Sequence, residues 1–354
     1  MRVVVTGATG NFGTSVIRAL GADDRVSSIV GVARRRPATD PPGLAPHRDK
    51  ISWVEADVAG DPLRPLLEGV DVVVHLAWLF QPSHRPTVTW QVNAVGSDHL
   101  FRAAKDAGVG AVVYASSVGA YSPAPGRVVD ESWPTHSLPT AAYGREKAYV
   151  ERLLDAFEAE CPDTRVVRMR PGFVFQRGAA TEQRRLFAGP FLPNRLLAPG
   201  RLPFLPVPPG LRFQAVHADD IAEAFRLAVT GDARGAFNLA ADPVIDAWVL
   251  GDVFGTRVVE VPRVLMRAGL ASAWRMHLAP TEPALLDLVL ELPLLDTTRA
   301  RTELGWVPRH SAVDALRELV QGLVAGSGVD TPPLHGDSAA GRLDEVSRGV
   351  GERP

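Results

Sequence analysis

Six short runs rich in valine or other apolar residues, at 2–6, 26–33, 51–56, 70–77, 110–117 and 164–170, alternate with longer stretches of helical spacing, notably 12–20, 90–107 and 141–160. That alternation constrains the fold more than any other feature of the chain. Runs such as "RVVVT" and "VDVVVHLA" are apolar almost throughout, so the strands they form must be covered on both faces. Parallel neighbours need long crossovers, which helices supply. The expected fold class is α/β, a doubly wound parallel-sheet Rossmann fold with a smaller C-terminal α/β substrate domain.

The first strand runs into "TGATGNFG", which places Gly7, Gly10 and Gly13 three residues apart between a strand and a helix. Glycines there allow a sharp turn, close approach of a pyrophosphate to the backbone, and helix packing against the strand. The helix N-terminus then faces the phosphates. The second strand ends "GVARRRP", with no Asp or Glu to hold a ribose 2′-hydroxyl. A guanidinium forms a charge-assisted pair with a 2′-phosphate, so Arg34 with Arg35 or Arg36 favours NADP, with NAD as the alternative.

These signals divide the chain into a dinucleotide-binding Rossmann domain over 1–170, to which 213–242 return as a strand–helix–strand unit. Residues 171–212 and 243–325 form the substrate domain. Its stretch "FAGPFLPNRLLAPGRLPFLPVPPGLRF" is too apolar for a linker and reads as loops packed over a cleft. From Gly326 apolar content falls, and 326–354 read as a disordered tail.

Composition narrows the partners. A net charge of −2 gives no case for a nucleic-acid partner, and the single Cys161 cannot form a disulfide within the chain. The histidines are scattered without zinc-like spacing, so no metal is expected. The longest apolar segments are too short to span a bilayer, and the N-terminus lacks a signal-peptide pattern. The expectation is a cytoplasmic protein with no membrane partner.

One short motif stands out. Lysine occurs only at 50, 105 and 147, and tyrosine only at 114, 121, 143 and 149, yet "AYGREKAYV" sets Tyr143 four residues before Lys147. On a helix, i and i+4 share a face, so both can point at one ligand.

Together these stretches resemble the extended short-chain dehydrogenase/reductases, also called the NAD-dependent epimerase/dehydratase family. "TGATGNFG" is similar to its glycine motif, "EADV" (55–58) to its adenine-side loop, and "VVHLA" (73–77) to its fourth-strand segment. "NAVGSDHLFRAA" (93–104), "YASSVGAY" (114–121), "YGREK", "RPGFVF" (170–175), "VHADDIA" (216–222) and "ELGWVP" (303–308) follow in the family's order.

The resemblance implies roles. Tyr143 would be the general acid/base, Lys147 would bind the nicotinamide ribose and lower the tyrosine pKa, and Ser117, with Ser116 as the alternative, would bond the substrate oxygen. Asn93 would order the site. The dinucleotide would contact Gly7, Thr9, Gly10, Asn11, Phe12, Gly13, Arg34, Arg35, Asp57, Val58, Leu76, Ala77, Ser116, Tyr143, Lys147, Pro171, Phe173 and Val174. Many relatives dimerise through the helices corresponding to 90–107 and 141–160, so a homodimer is expected.

Three reactions share this machinery: reduction of a carbonyl or oxidation of an alcohol, epimerisation through a transient ketone, and dehydration. Dehydratases of the family carry acidic residues after the catalytic Ser/Thr, where this chain has Val118 and Gly119. Trp78, Leu79, Phe80, Trp133, Phe173, Phe175 and the 186–209 loop suggest an apolar, aromatic substrate pocket, with Ser117 at the reacting oxygen. The reading is an NAD(P)-dependent oxidoreductase acting on a small molecule with a carbonyl or hydroxyl group. A nucleotide-sugar epimerase, with Arg184, Arg185 and Arg195 on the phosphates, is the alternative, and a non-catalytic NADP-binding regulator is a third.

Overall fold

The computed structural model describes residues 1–352. Its strands are β1 (Arg2–Thr6), β2 (Ser28–Ala33), β3 (Ile51–Glu55), β4 (Val72–His75), β5 (Ala111–Ala115), β6 (Val128–Val129), β7 (Arg165–Pro171), β8 (Phe173–Phe175), β9 (Leu205–Val207), β10 (Arg212–His217), β11 (Gly235–Leu239), β12 (Ala241–Asp246), β13 (Val258–Glu260) and β14 (Leu294–Leu295). Seven of them form one sheet in the order β11-β7-β5-β4-β1-β2-β3, and every neighbouring pair is parallel.

The continuous apolar runs have the expected cause. Val3 and Val5 point into one core with Ile17, Leu20 and Phe225, while Val4 points into a second with Leu100, Phe101, Leu154 and Phe157. Helices Gly13–Gly21 and Ala218–Thr230 cover the first face, and Gly96–Asp106 and Ala142–Glu160 cover the second. The α/β doubly wound class is therefore as read from the sequence. Strand order reverses between β1 and β4, where Thr6 lies opposite His75. A crevice at the carboxyl ends of these two strands is where such sheets bind ligands.

Two boundaries differ from the sequence reading. Of the 213–242 unit only β11 rejoins the seven-stranded sheet; β10 instead pairs with β8 and β12 in a separate three-stranded sheet. The switch occurs at Gly172, where a Cβ would lie 2.5 Å from the Gln214 carbonyl oxygen. Only a glycine lets β7 end and β8 begin so close to β10. Phe175, Val207, Ile245, Leu250, Leu316 and Leu319 form the core beneath this smaller sheet.

The segment 326–354, expected to be disordered, is folded back onto the body over 326–352; 353–354 lie outside the described residues. Gly326 ends helix Ala312–Ala325 with φ +61°, and Ser338 caps a further helix, Ala339–Arg348. Mean composition concealed this because two of the segment's few apolar residues suffice to anchor it: Leu334 is fully buried and Val350 nearly so. Among the described residues no helix is long and apolar enough to cross a membrane.

Candidate active site

Three glycines shape the floor of the crevice, each differently. Gly7 has φ +70°, and a Cβ on it would lie 2.5 Å from the Ala77 nitrogen; a Cβ on Gly13 would lie 2.4 Å from the Gly7 oxygen. Both are required by protein packing alone. A Cβ on Gly10 would meet only the Gly7 oxygen, at 3.3 Å, so at that position the backbone is left open for a ligand. The Gly10 and Gly13 amides donate to the Gly7 and Gly10 carbonyls, which winds the loop into helix Gly13–Gly21.

The walls follow from neighbouring strand ends. Leu76 donates its amide to the Thr6 carbonyl, setting 76–77 beside the loop. Asp57 accepts from the Ala59 amide at 3.0 Å, and Val58 packs over Gly96 at the start of helix Gly96–Asp106. Asn11 donates its side-chain amide to the Val174 carbonyl at 3.1 Å, tying the loop to β8 in the smaller lobe. Arg34, Arg35 and Arg36 are all exposed at the end of β2. Arg36 lies 3.9 Å from Glu55, and Arg35 borders a cavity with Arg184 and Arg185. These residues fit a dinucleotide: an open glycine, a helix N-terminus and basic side chains in one groove.

At the other end of the crevice, helix Ala142–Glu160 carries Tyr143 and Lys147 on one face. Lys147 is buried; its ammonium donates to the Ala115 carbonyl at 2.6 Å and lies 3.5 Å from the centroid of the Trp78 ring. Burial pulls its pKa well below the ordinary lysine value, against the charges of Glu151 and Glu146. The Trp78 indole nitrogen is itself buried without a hydrogen-bond partner among the described residues.

Tyr143 stacks on Phe80, with ring centroids 4.7 Å apart and planes within 10°. Burial raises its pKa to about 12, opposed by a hydrogen bond with Ser117. The expected depression by Lys147 is not met in the protein alone: burial raises the pKa and only the Ser117 hydrogen bond opposes it.

The two serines separate. Ser116 donates to Glu151 at 2.6 Å, and Glu151 is clamped by Arg170 through two bonds of 2.9 Å. Ser117 instead turns to Tyr143, and its Oγ also accepts the Gly119 amide. Gly119 lies flush against the tyrosine: a Cβ there would be 2.9 Å from Tyr143 Cε1.

Asn93 sits in a single π-helical turn, Gln91–Val95, and uses its whole amide. Its Oδ1 accepts the Leu79 amide, and its Nδ2 donates to the Leu79 carbonyl and to Glu146. The loop bearing Trp78 and Phe80 is thereby fastened to the helix bearing Tyr143. Leu79, Phe80, Pro82, Leu186, Phe187, Pro280 and Leu285 surround Tyr143 in a mostly apolar pocket, with Glu146 and Glu282 as its acidic members. Burial raises the pKa of both carboxyls.

Of the aromatic wall residues, Phe173 lies partly buried between the pocket side and the smaller lobe, and Trp133 shares the cluster around Tyr143. Phe175, expected to bind substrate, belongs to the core of the smaller lobe. Alternation along β8 puts 173 and 175 on one side, and the second is capped by the lobe's own packing. Pro171 ends β7 opposite Leu239.

Sequence reading missed four residues. His75 shares hydrogen bonds with Thr6 and Ser97, and burial lowers its pKa to about 3. Glu146 and Glu151 lie on the helix that carries Tyr143 and Lys147, and Glu282 arrives from 140 positions away to accept the Ala142 amide. A carboxylate next to Lys147 in an otherwise core-facing register was the only available signal.

The model of the NAD dependent epimerase/dehydratase family matches residues 3–240. The chain belongs to this family. A 3-diazoavenalumate denitrifying reductase of a Streptomyces species is 30% identical over 326 residues, covering 88% of this chain and 97% of that protein. An uncharacterized protein of Mycobacterium tuberculosis is 24% identical over 325 residues; the chain spans only 29% of its length. Among solved structures, a UDP-glucose 4-epimerase from Stenotrophomonas maltophila with bound NAD superposes with a TM-score of 0.68 at 22% identity, covering 92% and 98% of the two chains. The dTDP-glucose 4,6-dehydratase of Streptomyces venezuelae gives 0.65 at 21%, covering 91% and 96%. At such identities these family members share the fold.

Proposed function

We propose that this family member is an oxidoreductase that reduces a carbonyl, or oxidises the corresponding secondary alcohol, on a predominantly apolar small molecule. The observation that carries this reading is the placement of Tyr143, bonded to Ser117 and roofed by Phe80 and Phe187, in a pocket of apolar and aromatic walls. When bound, the nicotinamide supplies or accepts the hydride. Ser117 donates its hydroxyl proton to the substrate oxygen and so holds the carbonyl beside Tyr143. The phenol then delivers its proton to that oxygen as the carbon is reduced, and takes one back in the reverse direction. Lys147 would hold the cofactor ribose, and its charge would favour the phenolate.

NADP is the preferred cofactor in this reading. Arg34 and Arg35 supply exposed guanidinium groups where an acidic residue would select NAD, and nothing acidic follows β2 directly. Dehydration is disfavoured by Gly119, because a carboxylate side chain there would collide with the tyrosine ring.

A second reading, epimerisation of a nucleotide sugar, is supported by the bound ligands named for the structural relatives and by Arg184 and Arg185 near the crevice. Arg184 is nevertheless committed to Glu345 and the Gly189 carbonyl. The deciding experiment follows the absorbance of reduced cofactor while purified protein is offered ketones, aldehydes, secondary alcohols and nucleotide sugars. Oxidation of NADPH by an aromatic or aliphatic ketone supports the proposal. Conversion of a nucleotide sugar with no net absorbance change would replace it with the second reading.

A further inference from the structure

We propose that residues 326–352 are a strap that occupies the dinucleotide crevice and must be displaced for the cofactor to enter. This rests on the assignment of the crevice as a nicotinamide dinucleotide site. The segment does not merely drape over the surface. Thr331 is fully buried and donates its hydroxyl to the carbonyl of Thr9, inside the glycine loop. One residue earlier, Asp330 accepts the Thr39 hydroxyl at 2.8 Å, in the loop that follows Arg34–Arg36. The strap thus touches both the pyrophosphate floor and the ribose edge of the groove.

Its charges match the cationic lining. Glu345 takes the fork of Arg184, a side chain that is itself 2% exposed, and Asp337 lies 3.6 Å from the same guanidinium. Glu352 pairs with Arg85, and the Gly351 carbonyl accepts the Ser83 amide. Between strap and body remains a cavity of about 230 Å³, bordered by Arg35, Arg184, Arg185 and His335. The strap's carboxylates satisfy Arg184 and Arg85, while Asp330 and Thr331 hold it against the loop after β2 and the glycine loop, so strap and dinucleotide compete for the groove by overlap.

A groove available only part of the time lowers apparent affinity by the fraction open. A chain ending at Ala325 should therefore bind NADPH more tightly than the full chain, by about tenfold if the strap is seated some nine-tenths of the time. Binding is read by titration of cofactor fluorescence. Because Leu334 is buried, the full-length pair Asp330→Ala with Thr331→Val provides a second, milder test and should move affinity the same way. Limited proteolysis gives an independent readout: NADPH should speed cleavage within 326–338.

Equal or weaker binding by both altered proteins, or protection of 326–338 by NADPH, would show a closing lid or a passive brace and overturn the strap. Tight NADPH binding by the full chain would then leave the cofactor assignment standing. Failure of every protein to bind any nicotinamide dinucleotide would sink that assignment and the strap with it.

Discussion

The ammonium of Lys147 lies 3.5 Å from the centre of the Trp78 ring while it donates to the Ala115 carbonyl at 2.6 Å. A compact point charge fits between a carbonyl and an indole face; a planar fork with five donors does not. This explains why a chain that relies on arginine keeps lysine here. Lys147→Arg should fold but lose turnover by about tenfold or more, since the broader group displaces Trp78 and cannot reach the ribose. Steady-state kinetics beside a melting curve check it, and wild-type kcat in the variant would refute the positional argument.

Tyr143 carries the proton in the proposed reaction. Tyr143→Phe preserves the stack on Phe80 while removing the hydroxyl, so cofactor affinity should stay within about twofold and kcat should fall by roughly 10²–10⁴. Cofactor titration and single-turnover rates separate the two effects.

Gly119 offers a test of how closely the site is packed. Gly119→Ala would force a methyl to within 2.9 Å of Tyr143 Cε1, and overpacking of this kind costs about 1–3 kcal/mol. The expected outcome is a lower melting temperature together with reduced kcat, because the tyrosine ring is what must shift. A variant with unchanged kcat would mean that the ring tolerates displacement.

Cofactor choice turns on one edge of the crevice. Arg34→Asp removes a charge-assisted partner of a 2′-phosphate, worth about 1.5–3 kcal/mol, and adds repulsion. The ratio of NADPH to NADH affinity should drop by roughly 10–100-fold, measured as two dissociation constants per protein. An unchanged ratio would assign the triplet to the ordinary basic surface.

His75 predicts an acid-labile fold. Its folded pKa near 3 is depressed below the ordinary value of 6.5 by burial and by the charge of Lys147. The unfolded chain therefore binds a proton that the folded chain refuses, and stability falls as pH drops from 6.5 toward 3. The limiting slope is about 1.4 kcal/mol per pH unit. Denaturant melts across that window should show the slope, and His75→Gln should flatten it even if the variant is less stable at pH 7.

Strand positions on the main sheet were readable because parallel strands, buried on both sides, leave continuous valine runs such as 2–6 and 72–75. The shared helix face of Tyr143 and Lys147 was readable from their four-residue spacing, and Gly7 and Gly13 from a tight turn between strand and helix that leaves no room for a Cβ. What escaped depended on contacts distant in sequence. Glu282 reaches the start of the catalytic helix, and Thr331 meets Thr9 across 322 positions. Phe175 was misread as a pocket wall because an aromatic side chain looks the same in sequence whether it faces a ligand or a core. The segment after Gly326 was misread because two apolar anchors scarcely change an average.

The Asn11 side-chain amide donates to the Val174 carbonyl and the Gln176 amide donates back to Asn11, so the glycine loop is joined to the smaller lobe beside the proposed site. Any grip on the glycine loop is consequently felt by the segment that faces the substrate. Thermodynamic linkage makes such a connection symmetrical: by whatever factor one ligand sharpens affinity for the other, the second must sharpen affinity for the first. Under the proposed function, these two side-chain amides would favour the ternary complex over either binary one.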